Sequence, residues 1–600
     1  MTDHPSHEHT HSIEMPSTTE GLSDVRRPEV VELADGEEFE LEIAPVKKQI
    51  GDATVRMLAY NGSVPGPTLK VPEGATIIVH ALNNGDVDAT VHWHGLRLEN
   101  RYDGTHETQA PIPIGETFTY EINVPDPGAY WYHPHIREDY GQELGLYGNI
   151  LVVPTDENHW PPVHRELLVT LDDLLIEDGR IAAFGESETT HVAMGRFGNV
   201  MLVAGETDLS LEAKRGEVVR FYLTNTANTR VFNVIVPGAR MKLVGGDSGH
   251  YEHEEFVEEV LLAPSERVVV DVLFSEPGEL ALEHRTPEKT YRLAAIKVVD
   301  ESAEPDLTEQ YGDLRTHEDM RTLRERIEPF IEARPDKTIS FVAEMDEVGP
   351  EGGVDTGVCA CPMDPEIVAS WAGKCPKCGM KLMPAPAETE APGAFACPMH
   401  AEITATWAAT CPKCSMTLRA TGSGQVAALD DAASAEADHA EHHHAEHGEH
   451  HDHAGGHAHG AAQGIEWEDD MVEVNRMTTP ANTRWKLVDR ETDAANAQID
   501  WTFRVGDQVK LRLINEMDSD HPMPHPFHVH GAGRFLVLST DGETNDNLVW
   551  KDTVLVLAGQ TIDILLYVTN PGRWMAHCHI AEHNQSGMMF SFEAVPAATA

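Results

Sequence analysis

Four histidine clusters punctuate the 600-residue chain: His92 and His94 in HWHG, His133 and His135 in HPH, His525, His528 and His530 in HPFHVHG, and His577, Cys578, His579 and His583 in HCHIAEH. Residues two apart on a β-strand project from the same face, so each His-x-His pair aims two imidazoles at one point. The paired histidines number eight, while a zinc ion takes four ligands, so a cluster of several imidazole-binding metals fits better and copper is the natural candidate. His525, Cys578 and His583 add a two-histidine, one-thiolate set. Met588, five residues after His583, stands where a weak axial thioether completes a blue-copper site.

These side chains need rigid strands to hold them. Apolar and polar residues alternate with period two at 76–82, 117–124, 218–225, 267–274, 508–515 and 561–568, the pattern of half-buried strands. Turn formers such as NGSVPGP, DPG, EPGE and NPGR separate them, which points to β-sandwiches rather than βαβ units. The expected organisation is a tail at 1–29 containing His4, His7, His9 and His11, sandwich blocks at 30–160, 161–303 and 338–600, and a linker at 304–337 with helical spacing.

The third block is interrupted at 347–463, where the composition turns to Gly, Pro, Ala, Cys and His. Seven of the eight cysteines fall between Cys359 and Cys414, which is no disulfide framework spread over a fold. Two copies of a small unit, at 359–383 and 396–418, recur at a spacing of 36 residues. The first offers Cys361, Met363, Cys375, Cys378 and Met380; the second offers Cys397, Met399, His400, Cys411, Cys414 and Met416. Sulfur ligands at this density select Cu(I), Ag(I) or Zn, either as working metal sites or as zinc knuckles that hold loops together. A tract with ten histidines at 439–459 follows, readable as a solvated linker or as a copper reservoir.

Composition sets outer bounds. With 44 Lys+Arg against 100 Asp+Glu the net charge is −56, which repels nucleic-acid phosphate and reads as a salt-adapted or highly soluble exterior. No run reaches the ~18 apolar residues of a membrane span. The N-terminal stretch has no basic region followed by an apolar one, and the Arg26–Arg27 pair precedes an acidic segment, so no export signal is visible.

HWHG, HPH, HPFHVHG and HCHIAEHNQSGM together resemble the multicopper oxidases, the laccase-like family built from three cupredoxin domains, over about residues 30–300 and 465–597. The resemblance implies an all-β fold of three cupredoxin-like Greek-key β-sandwich domains, the third carrying the Cys/Met/His-rich insertion. It also implies four copper ions. His525, Cys578, His583 and axial Met588 would hold the type 1 copper, and His92 and His528 the type 2 copper. His94, His133, His135, His530, His577 and His579 would hold the type 3 pair. Cys578 then wires one centre to the other, because its neighbours His577 and His579 point to the opposite face.

Asp103, eleven residues after His92, falls where the family places a proton-donating acid, although Asp-Gly in RYDG is also a common turn pair. Bacterial relatives often carry a second acid directly after the last type 1 histidine. That position is Asn584 here, with Glu582 as a weak substitute.

The inserted units resemble the heavy-metal-binding domain of copper and silver efflux systems, with Asp364 replacing the histidine that the second copy keeps as His400 and with Ala401 and Ser415 as further departures. They are expected to add Cu(I) or Zn. Their placement resembles the Met-rich segment of bacterial cuprous oxidases. The implied activity is therefore one-electron oxidation of a reducing substrate coupled to reduction of dioxygen to water, with Cu(I) in copper tolerance favoured over phenols. The expected partners are dioxygen, a reducing metal ion or phenol, and a copper donor protein. The family implies a periplasmic or secreted location. A copper-sequestering protein without turnover is disfavoured by the intact ligand set, and a two-domain nitrite reductase by the three blocks.

Overall fold

A computed structural model of the chain describes residues 17–182, 191–346, 358–361, 364–371, 373–377, 379–384, 394–413, 416–421 and 465–598. Met363, Cys378, Cys414, the N-terminal histidines and the tract at 439–459 lie outside the described residues. The chain forms two compact units. The first comprises 1–345, 466–517 and 522–600; the second comprises Asp346–Ile465 together with Asp518–His521.

The first unit is built from three two-sheet sandwiches. In the first, a four-stranded sheet ordered Ala53–Tyr60, Glu38–Ile50, Thr76–Asn83, Thr117–Asn123 accompanies a five-stranded sheet that ends on Gly128–His133 and His92–His94. Thr76–Asn83 alternates strictly, so Ile77, Val79 and Ala81 are buried in one core with Tyr120 and Ile122. Ile77, Val79 and Ile122 each contribute roughly 1.5–3 kcal/mol by leaving water.

The second sandwich departs from the half-buried pattern expected of 218–225 and 267–274. Every residue of Glu217–Asn225 and Arg267–Phe274 is buried. Phe221, Leu223, Val268 and Val270 fill the sandwich core, while Tyr222 and Val269 on the opposite face pack with Ala129 and Leu151 of the first sandwich. A sheet face covered by a neighbouring sandwich accommodates polar residues only if they are paired, and Arg220 and Arg267 on that sheet both are.

In the third sandwich, Lys337–Met345 pairs in parallel with Gln508–Asn515 and antiparallel with Thr483–Asp489, so the chain rejoins the same sheet on both sides of the insertion. The opposing sheet is ordered Thr502–Arg504, Met589–Val595, Gly572–Cys578, His525–Val529, Thr553–Val556. The linker forms the helix Glu318–Ile331, whose Met320, Leu323 and Ile327 lie on one face at helical spacing and pack with Leu536, Leu538, Leu548 and Leu565 of the third sandwich. No helix among the described residues is long and apolar enough to cross a membrane.

The second unit repeats itself. Val368–Ala369 of one copy pairs with Thr404–Ala405 of the other in a sheet of six short strands, and Trp371 lies 5.8 Å from its counterpart Trp407.

Candidate metal centres

Strand register assembles the first centre. His92 sits opposite His133 across the pair His92–His94 and Gly128–His133, and His528 sits opposite His577 across the pair His525–Val529 and Gly572–Cys578. The two strand pairs meet face to face. His94 stacks on His528 at 3.8 Å, His92 lies 4.1 Å from His530, and His135 lies 5.2 Å from His577. All eight imidazoles, with His579, are buried with at most 4% exposure.

Seven of the eight rings are oriented from behind, and among the described residues His579 has no hydrogen bond on either nitrogen. His92 donates through Nδ1 to the carbonyl of Asp103 at 2.6 Å, His133 to that of Pro134 at 2.9 Å, and His577 to that of Cys578 at 2.9 Å. His528 Nδ1 donates to the carbonyl of Asp552 at 2.9 Å, His135 Nδ1 lies 3.0 Å from Glu138 Oε1, and His530 Nδ1 lies 2.9 Å from Asp103 Oδ2. His94 is reversed, with Nε2 3.0 Å from Asp552 Oδ1.

The opposite nitrogens are left without a hydrogen-bond partner: Nε2 of His92, His133, His135 and His528, and Nδ1 of His94. Such buried orphans are costly unless a metal takes their lone pairs. Burial and mutual repulsion hold His92, His94, His530, His577 and His579 well below the usual imidazole range, so they are neutral donors. His135 is the exception: burial lowers its pKa, but Glu138 outweighs burial and raises it. The donor set fits several copper ions.

Several of the supporting residues are invisible in the motifs. Asp552 accepts from His94 and is clamped by Arg267 of the second sandwich, whose Nη1 donates to Oδ1 at 2.8 Å and Nη2 to Oδ2 at 2.5 Å. Burial raises the pKa of this carboxyl, yet Arg267 overcomes it and holds Asp552 well below the ordinary range. Gly95 makes the approach possible: its φ is +82°, and a Cβ there would fall 2.5 Å from Asp552 Oδ2. Glu138, three residues after His135, accepts from Asn584 Nδ2 at 2.9 Å, so the asparagine at the expected acid position orients a different carboxylate. Glu582 is buried and its carboxyl is pushed up to about 8 by desolvation. The spacing of Glu138 from His135 was a usable signal; nothing in the sequence linked Arg267 to Asp552.

Asp103 is no exposed turn residue. It is 2% exposed, and burial raises its pKa to about 7 against the opposing charge of His135.

The second centre joins His525, Cys578 and His583, whose ligand atoms lie within 4.8 Å of one another. Cys578 Sγ is 3.4 Å from His525 Nδ1 and 3.7 Å from His583 Nδ1. Cys578 ends a strand, His583 sits on the short helix Ala581–Gln585, and Met588 closes the loop: its N–H donates to the His583 carbonyl at 3.0 Å and its carbonyl accepts from Cys578 N at 3.1 Å. Met588 and Cys578 share the third core. Burial pushes the Cys578 thiol far up, so a thiolate there requires a bound cation, as a soft metal supplies. Trp485, 1% exposed, stacks on His583 at 3.9 Å.

In the second unit, His400 Nδ1 lies 3.8 Å from Cys397 Sγ and 3.7 Å from Cys411 Sγ. Asp364 takes the same place in the first copy, with Oδ2 3.9 Å from Cys361 Sγ and 3.6 Å from Cys375 Sγ, and it is also paired with Lys377 at 3.2 Å. Met380 is buried, whereas Met399 is 72% exposed and Met416 lies at the surface.

Three sandwiches with two buried histidine-rich centres define an oxidase of the cupredoxin type. Residues 42–157 and 468–598 each match a family model described as multicopper oxidase, and 360–385 match the heavy metal binding domain. A multicopper oxidase of Staphylococcus epidermidis is 22% identical over 89% of this chain and 82% of its own length. A laccase of Oryza sativa subsp. japonica is 29% identical over 39% of this chain and 43% of its own. A solved multicopper oxidase from Campylobacter jejuni, described as a metallo-oxidase, superposes with a TM-score of 0.59 at 19% identity, covering 97% of this chain and 99% of that one. The chain belongs to the multicopper oxidases, copper-dependent oxidoreductases with oxygen as acceptor.

Proposed function

We propose that this oxidase takes electrons from Cu(I) in copper tolerance and delivers them to dioxygen. His525, Cys578 and His583, with Met588 from the same loop, would hold a type 1 copper. His92 and His528 would hold a type 2 copper, and His94, His133, His135, His530, His577 and His579 a type 3 pair, four ions in all. When bound, copper at these centres supplies one-electron transfer and the four-electron reduction of dioxygen to water. Cys578 stands between His577 and His579 in one chain segment, so the ligands of the two centres would be joined by a few covalent bonds. Asp103, hydrogen-bonded to His530 and raised to about 7 by burial, can take up and release a proton near neutral pH beside the proposed oxygen-reducing centre.

The observation that carries the choice of substrate is the covering of the type 1 centre. His525 and His583 are 1% and 0% exposed, so no imidazole edge is presented to a docking phenol. Trp485 lies over His583, and the segment 191–195 is tied to the helix Val472–Met477 by Met194 N donating to Asn475 Oδ1 at 3.2 Å and Asn475 Nδ2 donating to the Gly195 carbonyl at 2.8 Å. A small ion is served by such a cover better than a planar ring. The cysteine-rich unit supports the same reading as a soft-metal module that takes up Cu(I) or Zn.

Laccase activity is the second reading, favoured by the rice relative. Oxygen uptake with Cu(I) and with a phenol, before and after deletion of residues 355–463, separates the two. The proposal expects Cu(I) to be the faster donor and to lose rate on deletion; faster phenol turnover in the full-length protein overturns it.

A further inference from the structure

Three histidines that belong to neither centre meet on the first unit. His159 lies in the connector after the first sandwich, His250 opens the strand His250–Val257 of the second, and His317 precedes the linker helix Glu318–Ile331. His250 stacks on His317 with centroids 3.7 Å apart, and His159 lies 4.8 Å from His250. Asp319 Oδ2 is 3.5 Å from His250 Nε2. We propose that His159, His250 and His317, with Asp319, form a separate site for a divalent, imidazole-preferring ion of the Zn(II) or Cu(II) class.

The ring nitrogens carry the argument. Nε2 of His159 and Nε2 of His317 are buried without a hydrogen-bond partner, and no structural role accounts for either. His250 donates through Nδ1 to the Tyr251 carbonyl at 3.1 Å, which fixes the tautomer whose Nε2 lone pair faces Asp319. Centroid separations of 3.7 and 4.8 Å gather the three imidazoles into one cluster, and metal–nitrogen bonds of about 2.0–2.1 Å are the reach that a shared ion would have to each. Burial, reinforced by the neighbouring imidazoles and Arg315, lowers His159 to about 3 and His317 to about 4, and burial lowers His250 as well. All three are therefore neutral at physiological pH, with no proton to displace.

Among the described residues, Arg315 is the cation that acts on all three imidazoles. It is engaged by Glu254 at 2.6 Å and by the carbonyls of Asn158 and His159 at 2.8 and 3.0 Å, and Asp319 offsets it on the open side. Three soft or neutral donors and one carboxylate suit zinc or copper rather than calcium or magnesium. An ion held there ties the connector, the second sandwich and the linker helix together, so occupancy stiffens the path by which the chain enters the third sandwich.

The test first clears copper from this site with a mild chelator wash of the full-length, copper-loaded enzyme, monitored by an unchanged blue band, and then titrates Zn(II) against a competing chelator, with His250→Phe and His317→Gln alongside. Zinc taken up by the cysteine-rich unit is common to all three and cancels in the difference. The wild type is expected to bind one zinc equivalent more than either variant and to gain thermal stability on zinc addition that both variants lack, while blue absorption and zinc-free oxygen uptake stay the same. If one variant does not fold, the other decides. Equal zinc stoichiometry in the wild type and a folded variant, or loss in only one of two folded variants, overturns the proposal.

Discussion

Arg267→Met is the perturbation that most sharply separates the support of the eight-histidine cluster from its ligands. Arg267 is fully buried, donates no hydrogen bond to the histidines, and gives Asp552 two hydrogen bonds of 2.8 and 2.5 Å. Removing one partner of a buried ion pair costs roughly 3–5 kcal/mol, because the other charge is left unpaired. Asp552 would then raise its pKa and take up a proton, so its value as an acceptor for His94 Nε2 falls. A carboxyl whose folded pKa is raised loses stability as pH rises, so the defect deepens from pH 5 to pH 8. Loss of an outer-shell partner lowers metal retention by about 10–100-fold. The assay is copper content and absorption after dialysis against graded chelator. Blue absorption from the Cys578 centre should persist while cluster copper is lost at 10–100-fold lower chelator. The double variant Arg267→Met, Asp552→Asn should regain most of the lost unfolding midpoint without regaining cluster copper. Wild-type copper retention together with an unchanged midpoint in the single variant would refute the reasoning.

Three further outcomes follow from the same geometry. Asp103→Asn removes the acid hydrogen-bonded to His530 and should lower oxygen turnover by about 10²–10⁴ while anaerobic bleaching of the blue band by Cu(I) stays at the wild-type rate; stopped-flow absorption checks both. Glu143 is buried with its carboxyl raised to about 7 by desolvation, from an ordinary value of 4.5, so the folded state holds the proton more tightly. Its contribution is present below about 4.5 and is lost as pH rises through about 7, on the order of 3 kcal/mol at most, and Glu143→Gln should flatten the fall in unfolding midpoint between pH 5 and pH 8. Gly95→Ala combines a φ of +82° with a Cβ 2.5 Å from Asp552 Oδ2; cluster copper should be lost at lower chelator, with the blue band kept.

Much of this was legible in the chain because two periodicities coincide with chemistry. A His-x-His pair on a strand puts both imidazoles on one face, and His92–His94 is such a pair, whereas His135, His530 and His579 lie just past the ends of the strands Gly128–His133, His525–Val529 and Gly572–Cys578; alternation marked other strands of the same sandwiches, not the ones that carry the histidines. What stayed hidden was long-range pairing between residues with no shared motif. Arg267 reads as the first residue of an apolar strand, and only the covering of that strand by the first sandwich explains a buried guanidinium. Its partner lies 285 residues away. Asn584 looked like the loss of an acid, whereas the carboxylate it orients, Glu138, comes from the other cluster of ligands. The full burial of Glu217–Asn225 and Arg267–Phe274 was likewise unreadable, since alternation reports one buried face and says nothing about a neighbour covering the other.

The central claim is that Cys578 joins a one-electron entry site to a separate oxygen-reducing centre. It is tested most directly by oxygen uptake with Cu(I) as donor, comparing the copper-loaded wild type with Cys578→Ser. The account predicts that the variant keeps copper at the eight-histidine cluster but is colourless and consumes no oxygen above background, while the wild type is blue and uses four Cu(I) and four protons per dioxygen, giving two waters and no peroxide. Wild-type uptake by the colourless variant, or peroxide as the wild-type product, would contradict it.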